Sequence, residues 1–208
     1  MTLSSSHPDE LYTGAIVLMA GLSQRLPEQN KLLLKIGGQS IASKTIENLE
    51  QAGFSPIIVI TGHEASLIRE SLREHQVHFI HNEVYEEGMG SSIRAAMKGV
   101  KAWDGALIAM GDMPFVSIEI LQKIRAKFLR NPQGIIAPIF GSRRGQPVLF
   151  SAHFFPELAQ CGGDIGGRDI IKRNEKKLHL VPVTQKSIFW DVDTLNDMNR
   201  YKKELEDE

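Results

Sequence analysis

The sequence predicts an α/β fold of three layers, a mainly parallel sheet with helices on both faces. Short unbroken apolar runs recur at Ala15 to Met19, Pro56 to Thr61, Gly105 to Met110 and Gly134 to Pro138, each the length of a strand buried on both faces. Between them lie segments whose apolar residues repeat at helical spacing. Strand and helix in alternation imply right-handed crossovers, and so parallel neighbours.

Each element can be justified in turn. Residues 1–14 are polar, with Pro8 and three serines, and are expected to form a flexible extension ahead of a single domain spanning 15–208. After the first strand, Ser40 can cap a helix whose Ala42, Ile46 and Leu49 share one face and which Gly53 ends. The second strand, Pro56 to Thr61, leads through Gly62 and His63 into a helix with Leu67, Ile68 and Leu72 inward and Arg69, Glu70, Arg73 and Glu74 in water. Val77 to Ile80 is a third strand, followed by a polar loop in which Ser91 or Ser92 caps a helix with the stripe Ile93, Ala96, Met97 and Val100. Gly105 to Met110 is the fourth strand, and Gly111-Asp112-Met113-Pro114 ends it. Ser117 caps a helix through Leu121, Ile124 and Phe128 before the fifth strand at Gly134 to Pro138.

The rhythm then changes. A turn at residues 141–147 joins two strands, the second being Val148 to Phe150, and a helix runs from about Gly167 to Asn174. Leu178 to Val183 and Ile188 to Asp191 read as strands, and a polar helix follows from Thr194.

Composition narrows the function classes. The 208-residue chain has a formal net charge of −1, which gives no electrostatic case for a nucleic acid or an anionic membrane as partner. Its single cysteine, Cys161, allows no internal disulfide, and the opening residues have neither a basic n-region nor an apolar h-region, so a cytoplasmic location is expected. No apolar run approaches the ~20 residues that span a bilayer.

In an open parallel sheet, ligands bind beyond the carboxyl ends of the strands. Ala20, Gly21, Leu22 and Ser23 follow strand one, with Arg25 and Lys31 bringing two cations back to the same turn. Small residues, backbone donors and paired cations suit a polyphosphate, although a simple strand-to-helix connection explains the glycine equally. Neither the P-loop spacing nor a dinucleotide fingerprint is present there. Thr61 and Gly62 follow strand two, Asn82 strand three and Asp112 strand four, so one cleft can gather them. Asp112 can hold Mg²⁺ by one oxygen while phosphates complete the octahedron, or can simply form the turn before Pro114. Asp191 and Asp193, two apart in an extended segment, share a face and can approach one cation. Asp193 or Thr194 can instead cap the last helix, with Asp197 in its first turn.

Leu18-Met19-Ala20-Gly21-Leu22-Ser23-Gln24-Arg25 with Lys31 resembles the L-A-A-G-x-S-x-R…K signature of the nucleotidyltransferase family that makes sugar nucleotides and molybdenum dinucleotide cofactors. Further motifs resemble that family in the expected order, over Ala15 to Asp197. Gly111-Asp112-Met113-Pro114 is similar to its Mg²⁺-binding G-D-x-P. Asp191-Val192-Asp193-Thr194-Leu195-Asn196-Asp197 is similar to D-I-D-T-P-x-D, which completes the metal site, with Leu195 where that motif has proline. The loop Asn82 to Ser92, with Gly88, Ser91 and Ser92, resembles the loop over the nucleotide base. Arg143, Arg144, Gly145, Gln146 and Pro147 resemble the R-G-H-P turn of the acceptor pocket, with Gln146 in place of histidine. Gly163-Asp164-Ile165-Gly166-Gly167-Arg168 matches G-D-x-G-A-R, placing Asp164 and Arg168 on the acceptor side.

Taken bare, these last segments also read as a capped helix, an arginine-bearing turn and a glycine turn. The resemblance implies a nucleotide-diphospho-sugar transferase-like, Rossmann-type fold and Mg²⁺-dependent transfer of a nucleotide, with pyrophosphate released. Ala20 with the base loop follows the cytidylyl pattern, which implies CTP as donor and a molybdopterin-type acceptor, with a client molybdoenzyme as further partner. Two other readings stay open: the same chemistry on GTP or a sugar phosphate, and a non-catalytic module that hands cofactor to a molybdoenzyme.

Overall fold

The computed structural model describes residues 11–21, 30–163 and 166–206. Strand β1, Thr13–Met19, is followed by a one-turn 3-10 helix at Lys31–Leu33 and a small hairpin of β2, Lys35–Ile36, and β3, Gln39–Ser40. Helix α1, Ile41–Gln51, begins at Ser40, whose hydroxyl accepts from the Ser43 N–H, as the capping pattern predicts. Then come β4, Ile57–Thr61, helix α2, Ala65–Ser71, and β5, Val77–His81. Helix α3, Met89–Met97, precedes β6, Gly105–Met110, and α4, Ile118–Arg130, is capped by Ser117.

Strands β7, Ile135–Phe140, and β8, Arg143–Arg144, form a tight hairpin before β9, Val148–Ser151. Short helices α5, Phe155–Leu158, and α6, Arg168–Arg173, lead to β10, Leu178–Pro182, and the terminal helix α7, Leu195–Glu206.

The main sheet has the order β10-β7-β9-β6-β1-β4-β5, with β8 beside β7. Pairing is parallel across β6-β1-β4-β5 and at β10-β7, and antiparallel only around β9 and β8. Alternate residues of each central strand enter opposite cores. Ala15, Val17 and Met19 meet α1, α2, α4 and α7, whereas Ile16 and Leu18 meet α3, α5 and α6. That is the three-layer, mainly parallel architecture the apolar runs imply, and both faces of the sheet are dry.

Several local expectations are corrected. The fold starts earlier than Ala15: Thr13 and Gly14 pair with β6, the Tyr12 ring packs edge-on against Trp103, and the Tyr12 N–H donates to Asp104 at 2.7 Å. Leu67 is exposed, because the helix face toward the core is set by Ile68 and Leu72. Gly88, not a serine, stands at the start of α3, with Ser91 and Ser92 buried in its first turn. Residues Lys186–Phe189 form a 3-10 turn instead of leading a strand, since the sheet already ends at β10. No helix among the described residues is long and apolar enough to cross a membrane.

Candidate active site at the carboxyl end of the sheet

Register brings the predicted loops together. Met19 lies opposite Thr61 and Leu18 opposite Met110, so the chain leaves β1, β4 and β6 side by side. The Gly111 N–H donates to Leu18 O at 3.0 Å and the Asn82 N–H to Thr61 O at 2.8 Å, extending the ladder into the loops. Polar residues on the buried side of α1 hold the turn that carries Asp112. Thr45 donates to Gly111 O at 3.1 Å, and Asn48 donates to Pro114 O and Val116 O. Sequence reasoning passed over these two. Their signal is polar side chains at helical spacing among Ala42, Ile46 and Leu49.

The distal acids arrive by a separate route. The Val192 N–H donates to Asp112 O at 2.9 Å, while Trp190 stacks on Tyr201 with ring centroids 4.8 Å apart and meets Phe115 edge-on. These contacts pin residues 190–193 beside the β6 turn. Thr194 and Asp197 bond reciprocally as a capping box, so the last helix takes its cap from Thr194 and not from Asp193.

At the centre, Lys31 Nζ lies 2.5 Å from Asp112 Oδ2 and 2.7 Å from Asp193 Oδ1. Residues from three distant parts of the chain thus meet at one point. Burial pulls the Lys31 ammonium down, but the two carboxylates outweigh it and hold its pKa above the usual lysine value. For Asp112 burial dominates and raises the pKa, with Lys31 opposing and Asp191 adding to the rise. Asp112 Oδ1 is buried with no hydrogen-bond partner among the described residues.

That orphaned oxygen and the nearby Asp193 carboxylate are donors of the kind a hard cation takes up with phosphate oxygens and water, while the Lys31 ammonium neutralises the same two carboxylates when no such cation is bound. No group of three His, Cys, Asp or Glu residues placed to ligate a metal occurs among the described residues, so the chain by itself offers part of a coordination shell.

On the far side of Asp112 opens a cleft of about 380 Å³. Asp112, Asp191, Arg143, Arg144, Gln146 and Arg168 supply its polar wall, and Met89, Ile93, Phe150 and Ile188 belong to its apolar lining. The Arg143 guanidinium lies 4.3 Å from the centroid of the Phe189 ring, which restrains it. Gly145 also lines this cleft. Pro147 is instead buried and faces a small void against Thr45 and Asn48, because the chain turns inward there to start β9.

The remaining predicted residues fall into three groups. Thr61 is fully buried and its Oγ1 has no partner among the described residues. A Cβ on Gly62 would come within 2.6 Å of the Tyr85 ring, so only glycine fits under it. Asn82 donates to Ser91 Oγ at 2.8 Å and to Ser92 Oγ at 3.1 Å and accepts from the Val84 N–H. These three side chains therefore satisfy one another and brace the loop before α3, with Gly88 at its tip. Ala20 and Gly21 follow β1 directly, whereas Leu22, Ser23, Arg25 and Asp164 lie outside the described residues.

Comparison with known proteins identifies the family to which the chain belongs. The chain is 30% identical to the molybdenum cofactor cytidylyltransferase of Escherichia coli K12 over 183 residues, covering 88% of this chain and 91% of that protein. It is 25% identical to the nicotine blue oxidoreductase of Paenarthrobacter nicotinovorans, covering 89% and 94%. Rv0371c of Mycobacterium tuberculosis superposes with a TM-score of 0.81 at 28% identity, covering 91% of this chain and 96% of that one. A second structure of Rv0371c, a complex with manganese, gives a TM-score of 0.77 at 26% identity, covering 91% and 97%. Residues 15–178 match the family model described as the MobA-like NTP transferase domain, and the chain belongs to that nucleotidyltransferase family.

Proposed function

We propose that this nucleotidyltransferase moves CMP from CTP onto the terminal phosphate of a molybdopterin-type acceptor and releases pyrophosphate, acting in the cytoplasm. The observation that carries the reading is the Lys31 ammonium between Asp112 and Asp193, with Asp112 also facing an arginine-walled cleft. Mg²⁺ held by Asp112 and Asp193, with Asp191 at the cleft edge, would supply charge neutralisation of the triphosphate.

The chain's own residues position and offset charge. Ala20 and Gly21, directly after β1, and the sequence-adjacent Leu22 and Ser23 bind the nucleotide phosphates, and the buried Asn82, Ser91 and Ser92 hold the loop that covers the base. Arg143, Arg144 and Arg168 bind the acceptor's phosphate, and the apolar wall takes its ring system. An acceptor phosphate oxygen attacks the α-phosphorus, a new P–O bond forms, and the bond to the β-phosphate breaks. Lys31 and Arg25 offset the charge of the departing pyrophosphate, which is worth most where water is excluded. The relative named as an oxidoreductase is matched over a similar share of the chain, but the acid and lysine cluster favours phosphoryl chemistry here.

The test is pyrophosphate release by purified protein with molybdopterin, Mg²⁺ and each nucleoside triphosphate. Release with CTP and molybdopterin is expected. Lys31→Ala should lower turnover more than nucleotide affinity, and equal turnover in that variant refutes the assignment. Release only with GTP or a sugar phosphate would move the acceptor and donor elsewhere, and cofactor binding with no release would favour a carrier.

A further inference from the structure

Glu64 occupies the first position before α2 with φ 49° and ψ 37°, a left-handed conformation that residues with a side chain rarely adopt. Its own helix does not explain it, because the side chain makes no cap hydrogen bond. The carboxylate reaches out of its element instead and accepts from Asn30 Nδ2 at 3.0 Å.

Asn30 is buried, and its other polar atoms are engaged locally. Its Oδ1 accepts from the Leu32 N–H at 3.0 Å and its carbonyl from the Leu33 N–H at 3.0 Å. Those bonds define the turn Lys31–Leu33, from which the lysine extends to Asp112 and Asp193. Around the carboxylate, His63 Nε2 stands 3.9 Å away, too far for a hydrogen bond.

We propose that Glu64 is a positioning residue for the reaction: it holds Asn30, Asn30 holds the turn, and the turn aims the Lys31 ammonium. A backbone strained at a site boundary and a side chain spent on another loop are the observations behind this assignment. It rests on the reading of Lys31 given above. Glu64 touches neither substrate nor metal, and its effect passes through the asparagine.

Two substitutions separate positioning from folding. Glu64→Gly loses the acceptor but suits the left-handed conformation, so stability is retained while aim is lost. Glu64→Gln keeps an oxygen for Asn30. Expected for Glu64→Gly are a melting temperature within about 3 °C of the parent, a kcat lowered about tenfold and a nucleotide KM changed less than about threefold. Amide exchange at Leu32 and Leu33 should speed up in the same variant, and Glu64→Gln should keep kcat within about threefold of the parent.

An unchanged kcat in Glu64→Gly, equal losses in both variants, or activity falling only as far as melting temperature falls would overturn the proposal. Lys31→Ala, run alongside, separates the two claims. If Lys31→Ala keeps full turnover, the reading of the lysine fails; if it loses turnover while Glu64→Gly does not, only the role of Glu64 fails.

Discussion

Asp112→Asn should damage catalysis and leave folding nearly intact. Removing one partner of a buried ion pair outright costs ~3–5 kcal/mol, because the other charge is stranded. Three features reduce that figure here. The Lys31 ammonium keeps Asp193 at 2.7 Å, the amide oxygen can still accept where Asp112 Oδ2 now does, and the buried carboxylate already bears a desolvation cost that the neutral amide escapes. The net change should lie within about 1 kcal/mol of zero, or about 2–4 °C in melting temperature for a chain of this size. Turnover should fall by at least ~10³-fold, equivalent to ~4 kcal/mol of activation free energy. Calorimetry and a Mg²⁺-dependent pyrophosphate assay read the two quantities on one preparation. Wild-type turnover in the variant would remove Asp112 from the reaction. A stability loss above ~3 kcal/mol with activity falling in step would make the pair a structural tie instead.

Three other outcomes follow from the same geometry. Arg168→Ala should raise the acceptor KM about tenfold with kcat nearly unchanged, since the guanidinium binds ground state and transition state alike; a fall in kcat alone would contradict this. Gly90→Ala should raise the acceptor KM and lower the melting temperature together, because a Cβ there would come within 2.6 Å of the Gly162 backbone and push away the loop at Gly162 and Gly163, and Met89 and Ile93 beside Gly90 line the acceptor cleft. Normal acceptor kinetics would show that this loop does not shape the cleft. Cys161 is buried, and burial raises its thiol above the usual range, with Arg173 and Arg94 offsetting only part. Alkylation by iodoacetamide at pH 8 should therefore lag far behind an unfolded control and speed up as pH rises, and rapid labelling at neutral pH would contradict the burial.

How legible this protein was depends on which signal each residue carried. The central strands announced themselves, because a strand buried on both faces must be apolar throughout, and Ile16, Val59 and Leu107 have no polar alternative. Asp112 and Asp193 could be named because their motifs resemble a known pattern, but their meeting depends on Val192 and on the Trp190–Tyr201 stack, neither of which has a local signature. The 3-10 turn at Lys186–Phe189 passed for strand because its apolar pair Ile188 and Phe189 fits either form. Thr45, Asn48, Asn30 and Glu64 were missed for a common reason. Each acts through a hydrogen bond to a residue distant in sequence, and a lone polar residue on a helix or in a loop carries no mark of its partner. Asn82, Ser91 and Ser92 were recognised as a group, yet their side chains turn out to bond to each other.

In the proposed reaction Asp112 and Asp193 hold one divalent ion together with the donor nucleotide. Titration of Mn²⁺ into protein with a non-hydrolysable CTP analogue, followed by electron paramagnetic resonance of the free ion, measures this directly. One tight nucleotide-dependent site is predicted in the parent chain, weakened at least about tenfold in both Asp112→Asn and Asp193→Asn. The same isotherm in all three proteins would contradict it.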